Sequence, residues 1–112
     1  MRLSGIRNYN FQPQFNGYRE AILTVANPKG VHTKPASLVV MAVKKGLKEA
    51  NNKDVFISLS KTSDNKEIDI SSILGILMEA IPKGTELKLK ASESFPEIHF
   101  NKIQKYLTEI EE

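Results

Sequence analysis

From Thr85 to Ala91 the chain alternates strictly, with Leu87, Leu89 and Ala91 on one side and Glu86, Lys88 and Lys90 on the other. Period two predicts a strand with one buried and one wet face. Glu20 to Val25 behaves similarly, setting Ala21, Leu23 and Val25 against Ile22 and Thr24, and Asp54 to Ser60 points Val55, Ile57 and Leu59 one way. Ser63-Asp64-Asn65-Lys66 then reads as a hairpin connection and Glu67 to Ile70 as its short return strand. Between these runs the period changes. Pro35 to Lys45 carries Leu38, Met41 and Ala42 at helical spacing, and Gly46 is a stop signal. Val39, Val40 and Val43 widen its apolar surface, either as core or in part as a docking face. Ser71 to Glu79 has a short helical pattern in Ile73, Leu74, Leu77 and Met78, closed by the turn Ile81-Pro82-Lys83-Gly84. Ser94-Phe95-Pro96-Glu97 has the spacing of a capping box, and Phe100, Ile103, Leu107 and Ile110 then mark one face of an amphipathic helix running to the end of the chain. The predicted order is β-α-β-β-α-β-α. Half-buried strands require an antiparallel sheet with its helices on one side, an α+β fold.

Composition narrows the chemistry. With 112 residues the chain is one small domain. It has no cysteine, which removes disulfides, thiolate metal sites and thiol nucleophiles. The longest apolar run, Ala36 to Val43, ends in Lys44 and Lys45 and is far short of a membrane span. Met1 to Arg19 lacks the apolar stretch of a secretory signal, so the expected location is the cytoplasm. Residues 1–19 hold no period and read as a flexible extension ahead of a domain at 20–112. Their aromatics, Tyr9, Phe11, Phe15 and Tyr18, either are solvated or pack on the domain or a partner. A formal charge of +3 favours acidic partners, phosphates or nucleic acid. Nucleic acid is not expected, because the chain lacks the G-x-x-G clamp and aromatic strand motif of the known modules.

The two histidines differ in setting. His99 lies outside the apolar stripe of the last helix and reads as a solvated helix residue. His32 sits in Gly30-Val31-His32-Thr33-Lys34-Pro35-Ala36, just ahead of a helix that Pro35 is expected to start. Proline also pushes Lys34 away from helical geometry. First-turn N–H groups and the positive end of the helix dipole make an anion site beside the imidazole. Such a histidine suits the transfer of a phosphoryl group.

The same stretch resembles the G-[LIV]-H-[AT]-R-P-A active centre of the histidine-containing phosphocarrier (HPr) family of the bacterial phosphoenolpyruvate:sugar phosphotransferase system. A second block, Asp69-Ile70-Ser71-Ser72-Ile73-Leu74-Gly75-Ile76-Leu77, is similar to the segment around that family's regulatory serine, with Ser72 in its place. The resemblance covers about residues 20–111. It implies an open-faced β-sandwich of four antiparallel strands and three helices, and a phosphoryl relay. His32 would accept phosphate on Nδ1 from the first enzyme, phosphoenolpyruvate-protein phosphotransferase, and pass it to sugar-specific transport components. Thr33 and Lys34 would hold the phosphoryl oxygens. Neither a metal nor a cofactor is implied, and a monomer is expected. Lys34 departs from the family's arginine, replacing a planar fork of donors with a mobile point charge. Ser72 would be the target of a serine kinase and phosphatase; structurally, either Ser71 or Ser72 can cap the helix. Ile73, Leu74, Leu77 and Met78 would help dock partners, with one or two of them exposed and Lys34, Lys44 and Lys45 at the rim. The alternative is an HPr-like regulatory binding protein with weak or no transfer.

Overall fold

The computed structural model describes residues 18–51 and 54–108. Strands β1 (Tyr18–Thr24), β2 (Ile57–Lys61), β3 (Glu67–Ile68) and β4 (Glu86–Ser92) and helices α1 (Thr33–Ala50), α2 (Ile73–Leu77) and α3 (Glu97–Thr108) follow in the predicted order. The sheet runs β1-β4-β2-β3 with every neighbouring pair antiparallel. Its central strand is the one with the cleanest alternation. Leu87 and Leu89 are fully buried, facing Leu23 and Ala21 on β1 and Lys61 and Leu59 on β2. On the outer face Lys88 pairs with Glu20 at 3.7 Å, and Lys90 lies over the Tyr18 ring.

The core lies between this sheet and the helices. Val39, Val40 and Val43 from α1 meet Ile103 and Leu107 from α3 and Leu59 and Ile68 from the sheet. The surplus valines are core. Each such side chain removed from water contributes about 1.5–3 kcal/mol, so the three are not available for docking. Phe100, Ile103 and Leu107 are buried as the stripe predicts, whereas Ile110 and residues 1–17 of the extension lie outside the described residues.

Several expectations are corrected. Tyr18 and Arg19, assigned to the extension, are strand residues; Arg19 donates to the Phe95 carbonyl at 2.7 Å and its guanidinium stands over Phe100. α1 does not stop at Gly46. It runs to Ala50 and ends on Asn51 in the left-handed conformation. Gly46 is buried inside the helix because the Phe95 ring fills the space a methyl group would need. No capping box starts α3: Ser94 Oγ pairs with Ser92 Oγ at 3.0 Å, and the Pro96 carbonyl accepts the first helical bond, from the Phe100 amide. His99 is buried, at 6% exposure, between α3 and α1, with Nε2 2.9 Å from Glu49 Oε1. It sits beside the predicted stripe but meets α1, whose position one helix's pattern cannot show.

Candidate functional site

The loop from β1 to α1 is built by Asn27. Its backbone carbonyl accepts the Gly30 amide at 2.8 Å and its side-chain Oδ1 accepts the Lys29 amide at 2.9 Å, a tight turn that Pro28 pre-sets. Gly30 follows with φ of 71°, pressed so closely on the Ile81 carbonyl that no Cβ fits. Val31, buried, donates its amide to that carbonyl at 2.9 Å. The loop is thereby fixed to the segment between α2 and β4.

His32 comes next, as the N-cap of α1 in extended conformation, with its carbonyl accepting the Ala36 amide at 3.0 Å. Thr33 and Lys34 are both helical and exposed, so the helix begins two residues before Pro35 and Lys34 is not displaced from it. The reason is that proline is tolerated throughout the first turn, where a missing N–H loses no intrahelical bond. His32 makes no capping hydrogen bond to that turn. Its half-buried ring faces a hollow of about 280 Å³ shared with Lys29, Val31, Ala80, Ile81 and Pro82. A helix N-terminus and a lysine beside a histidine, with no carboxylate in the lining, favour a bound anion. Ala80 holds φ of 50°, a conformation unfavourable for a residue with Cβ, at the wall of this hollow.

Asn27 is the residue the sequence did not reveal as part of the site. It is 3% exposed and its Nδ2 stands 3.3 Å from His32 Nε2. Its sequence signal, Asn-Pro-x-Gly, reads only as a turn.

The second block forms α2. Ser72, half-buried and extended, is its N-cap: Oγ accepts the Gly75 amide at 3.1 Å, and its carbonyl accepts the Ile76 amide. Ser71 instead donates its hydroxyl and its amide to Asp69 Oδ1, so the choice between the two serines falls to Ser72. Those bonds, the hydroxyl first and the amide second, hold the Asp69 carboxyl below its ordinary value of 3.8. Ile73, Leu74 and Met78 are 39%, 66% and 75% exposed, more of the helix than expected. Leu77 packs on the core beside the fully buried Ile76. α2 is linked to the histidine through the chain, because Ala80 to Pro82, three to five residues past its end, line the His32 hollow. Lys34 and Lys44 are exposed along α1. Lys45 is not at this rim: it lines a small hollow with His99 and Lys102, whereas Val43 and Leu47 of α1 share a groove with Ile70 and Ser71. Lys45 is two residues from both Val43 and Leu47, which turns it about 200° round the helix.

Among the described residues no helix is long and apolar enough to cross a membrane, and no cluster of three or more histidines or carboxylates is placed to hold a metal ion. Residues 19–109 match the family model described as the PTS HPr component phosphorylation site. Among solved structures, a phosphocarrier protein HPr from Bacillus anthracis str. Ames aligns with a TM-score of 0.64 and 22% identity, covering 83% of this chain and all of that one. HPr-C-His from Thermoanaerobacter tengcongensis gives 0.61 and 26%, over 80% of this chain and 90% of its own. A Mycoplasma histidine-containing phosphocarrier protein gives 0.61 and 19%, over 79% and 90%. No curated protein matches the sequence.

Proposed function

The chain belongs to the HPr family, and from that premise we propose that it carries a phosphoryl group on His32 within the phosphotransferase system. One observation supports this above the rest: His32 is the N-cap of α1, its ring set in an open hollow between the first turn and the Ala80 to Pro82 segment, with Lys29 at the wall and Lys34 in the turn. In this reading the Thr33 and Lys34 amides donate to the phosphoryl oxygens. The donor is the phosphoenolpyruvate-dependent first enzyme and the acceptors are sugar-specific transport components, all in the cytoplasm. Ile73, Leu74 and Met78 form the docking face, with Leu77 supporting it from the core side. Ser72 is the site of a serine kinase, and a phosphate there adds charge at the start of α2 next to that face.

Incubating the protein with phosphoenolpyruvate and a competent first enzyme tests the proposal. An acid-labile phosphate that disappears in His32→Ala is expected; no label on the native chain overturns it. The second reading, a regulatory binding protein with weak or no transfer, is favoured by Lys34 and by the extension that precedes the family pattern. A lysine supplies charge without the bidentate fork, so Lys34→Arg should raise the transfer rate several-fold, whereas an equal or lower rate shows that lysine does not limit transfer.

A further inference from the structure

A groove of about 560 Å³ opens between the second half of α1 and the sheet, and it shares no residue with the His32 hollow. Leu47 and Phe56, both exposed, lie along it with Ile57. Among the described residues its charged lining is acidic, Glu67 and Asp69. The groove also holds a short length of open sheet edge. The Lys61 amide donates to the Lys66 carbonyl at 3.0 Å, and in an antiparallel ladder every second residue faces the same neighbour, so Leu59 and Ile57 face the β3 side as well. β3 ends at Ile68, opposite Leu59. The backbone of Ile57 therefore points past the end of β3, on the side where an extended segment can pair with it.

The chain's own first 17 residues have matching features. As a whole they hold no period, but residues 8–16 alternate, setting Tyr9, Phe11, Pro13 and Phe15 against asparagines and glutamines. That pattern suits an extended segment with one apolar side, and proline is tolerated at a sheet edge. The segment's charged side chains, Arg2 and Arg7, are both positive. Its point of attachment is close to the groove. Tyr18, the first residue of β1, pairs with Ser92, and the Ser92 amide donates to the Phe56 carbonyl at 3.0 Å. Tyr18 is thus two strand spacings, about 10 Å, from Phe56. The three steps back from Tyr18 to Phe15 span about 10 Å when extended. We infer that residues 8–16 seat in this groove of their own chain, with Phe11 and Phe15 covering Leu47 and Phe56 and the backbone pairing at Ile57. Arg2 and Arg7 add attraction to Glu67 and Asp69. The inference does not depend on the phosphocarrier reading.

The chain has no cysteine, so Gln12→Cys in the full chain accepts a single nitroxide label on the polar side of the segment. Loss of amide signal by paramagnetic broadening is expected at Leu47, Ile57 and Ile70, with recovery when the nitroxide is reduced. Broadening centred on α2 or on the outer face of the sheet, or found nowhere in the domain, overturns the inference. A mixture of spin-labelled ¹⁴N chain with unlabelled ¹⁵N chain reports only contacts between copies, and there the groove signals should stay sharp. Broadening in the mixture as strong as in the labelled chain shows that a second copy supplies the segment, which also overturns the inference. Leu47→Lys places a positive charge at an exposed position of the groove, and it should restore the Ile57 and Ile70 signals with the amide spectrum otherwise preserved. Phe11→Ser with Phe15→Ser alters no residue of the core and should restore them from the segment's side. Broadening that persists in either variant refutes the apolar contact.

Discussion

Gly46 sets two local preferences against each other. Glycine in a helix interior is worse than alanine by about 1 kcal/mol, so propensity alone favours Gly46→Ala. The Phe95 ring occupies the position of the missing methyl, and both residues are buried. Overpacking a filled core costs about 1–3 kcal/mol, and a rigid aromatic ring has little freedom to withdraw. Gly46→Ala is therefore expected to lower stability by about 1–2 kcal/mol, measured by urea unfolding. Trimming the ring restores the room, so Gly46→Ala combined with Phe95→Leu should be less destabilised than the sum of the two single changes. Strict additivity would show that the methyl and the ring do not compete. The same contact explains why Gly46 reads as a helix stop: a glycine's local preference carries no record of what a residue far along the chain presses against it.

α2 depends on its ends and its one buried side chain. Five residues are too few to stay helical alone, and the helix is held by the Ser72 cap and by Ile76, which is fully buried. Ser72→Ala removes the acceptor for the Gly75 amide and should cost about 1 kcal/mol, seen as faster hydrogen exchange at Gly75 and Ile76. Ser72→Asp retains an acceptor and places negative charge at a helix N-terminus, so stability should stay within about 0.5 kcal/mol of native. If both variants exchange like the native chain, the cap does not hold the helix. Elements of this kind show how far sequence patterns reach. The alternation of β4 and the stripe of α3 were legible because one periodicity governs each of them. The length of α1, the burial of His99 and the side of α1 on which Lys45 lies depend on contacts between elements. The site divides the same way: His32 and Ser72 stand in local motifs, whereas Asn27 meets the imidazole only when the turn folds its side chain back.

Across the molecule, α2 is tied to the His32 hollow through the Ala80 to Pro82 segment that follows it in the chain. Leu74 and Met78 project most of their surface into water, so removing them sacrifices little folding energy. Leu74→Ser with Met78→Ser is expected to leave stability within about 0.5 kcal/mol of native, while Ile76→Ser, at a fully buried position, should destabilise severely. If the α2 face docks partners, the surface pair should slow phosphoryl transfer by roughly tenfold through faster dissociation, as loss of a buried apolar anchor does. The lysines act at a different stage. In the same reading, Lys29, Lys34 and Lys44 would attract acidic partner surfaces over a range set by the Debye length, about 10 Å at 0.1 M salt. Raising ionic strength should therefore reduce the association rate of native protein and of the Leu74/Met78 variant by the same factor. Stopped-flow measurement of both proteins across a salt series separates the two contributions. A variant whose association rate no longer responds to salt would show that the apolar face and these lysines do not work as independent parts of one docking surface.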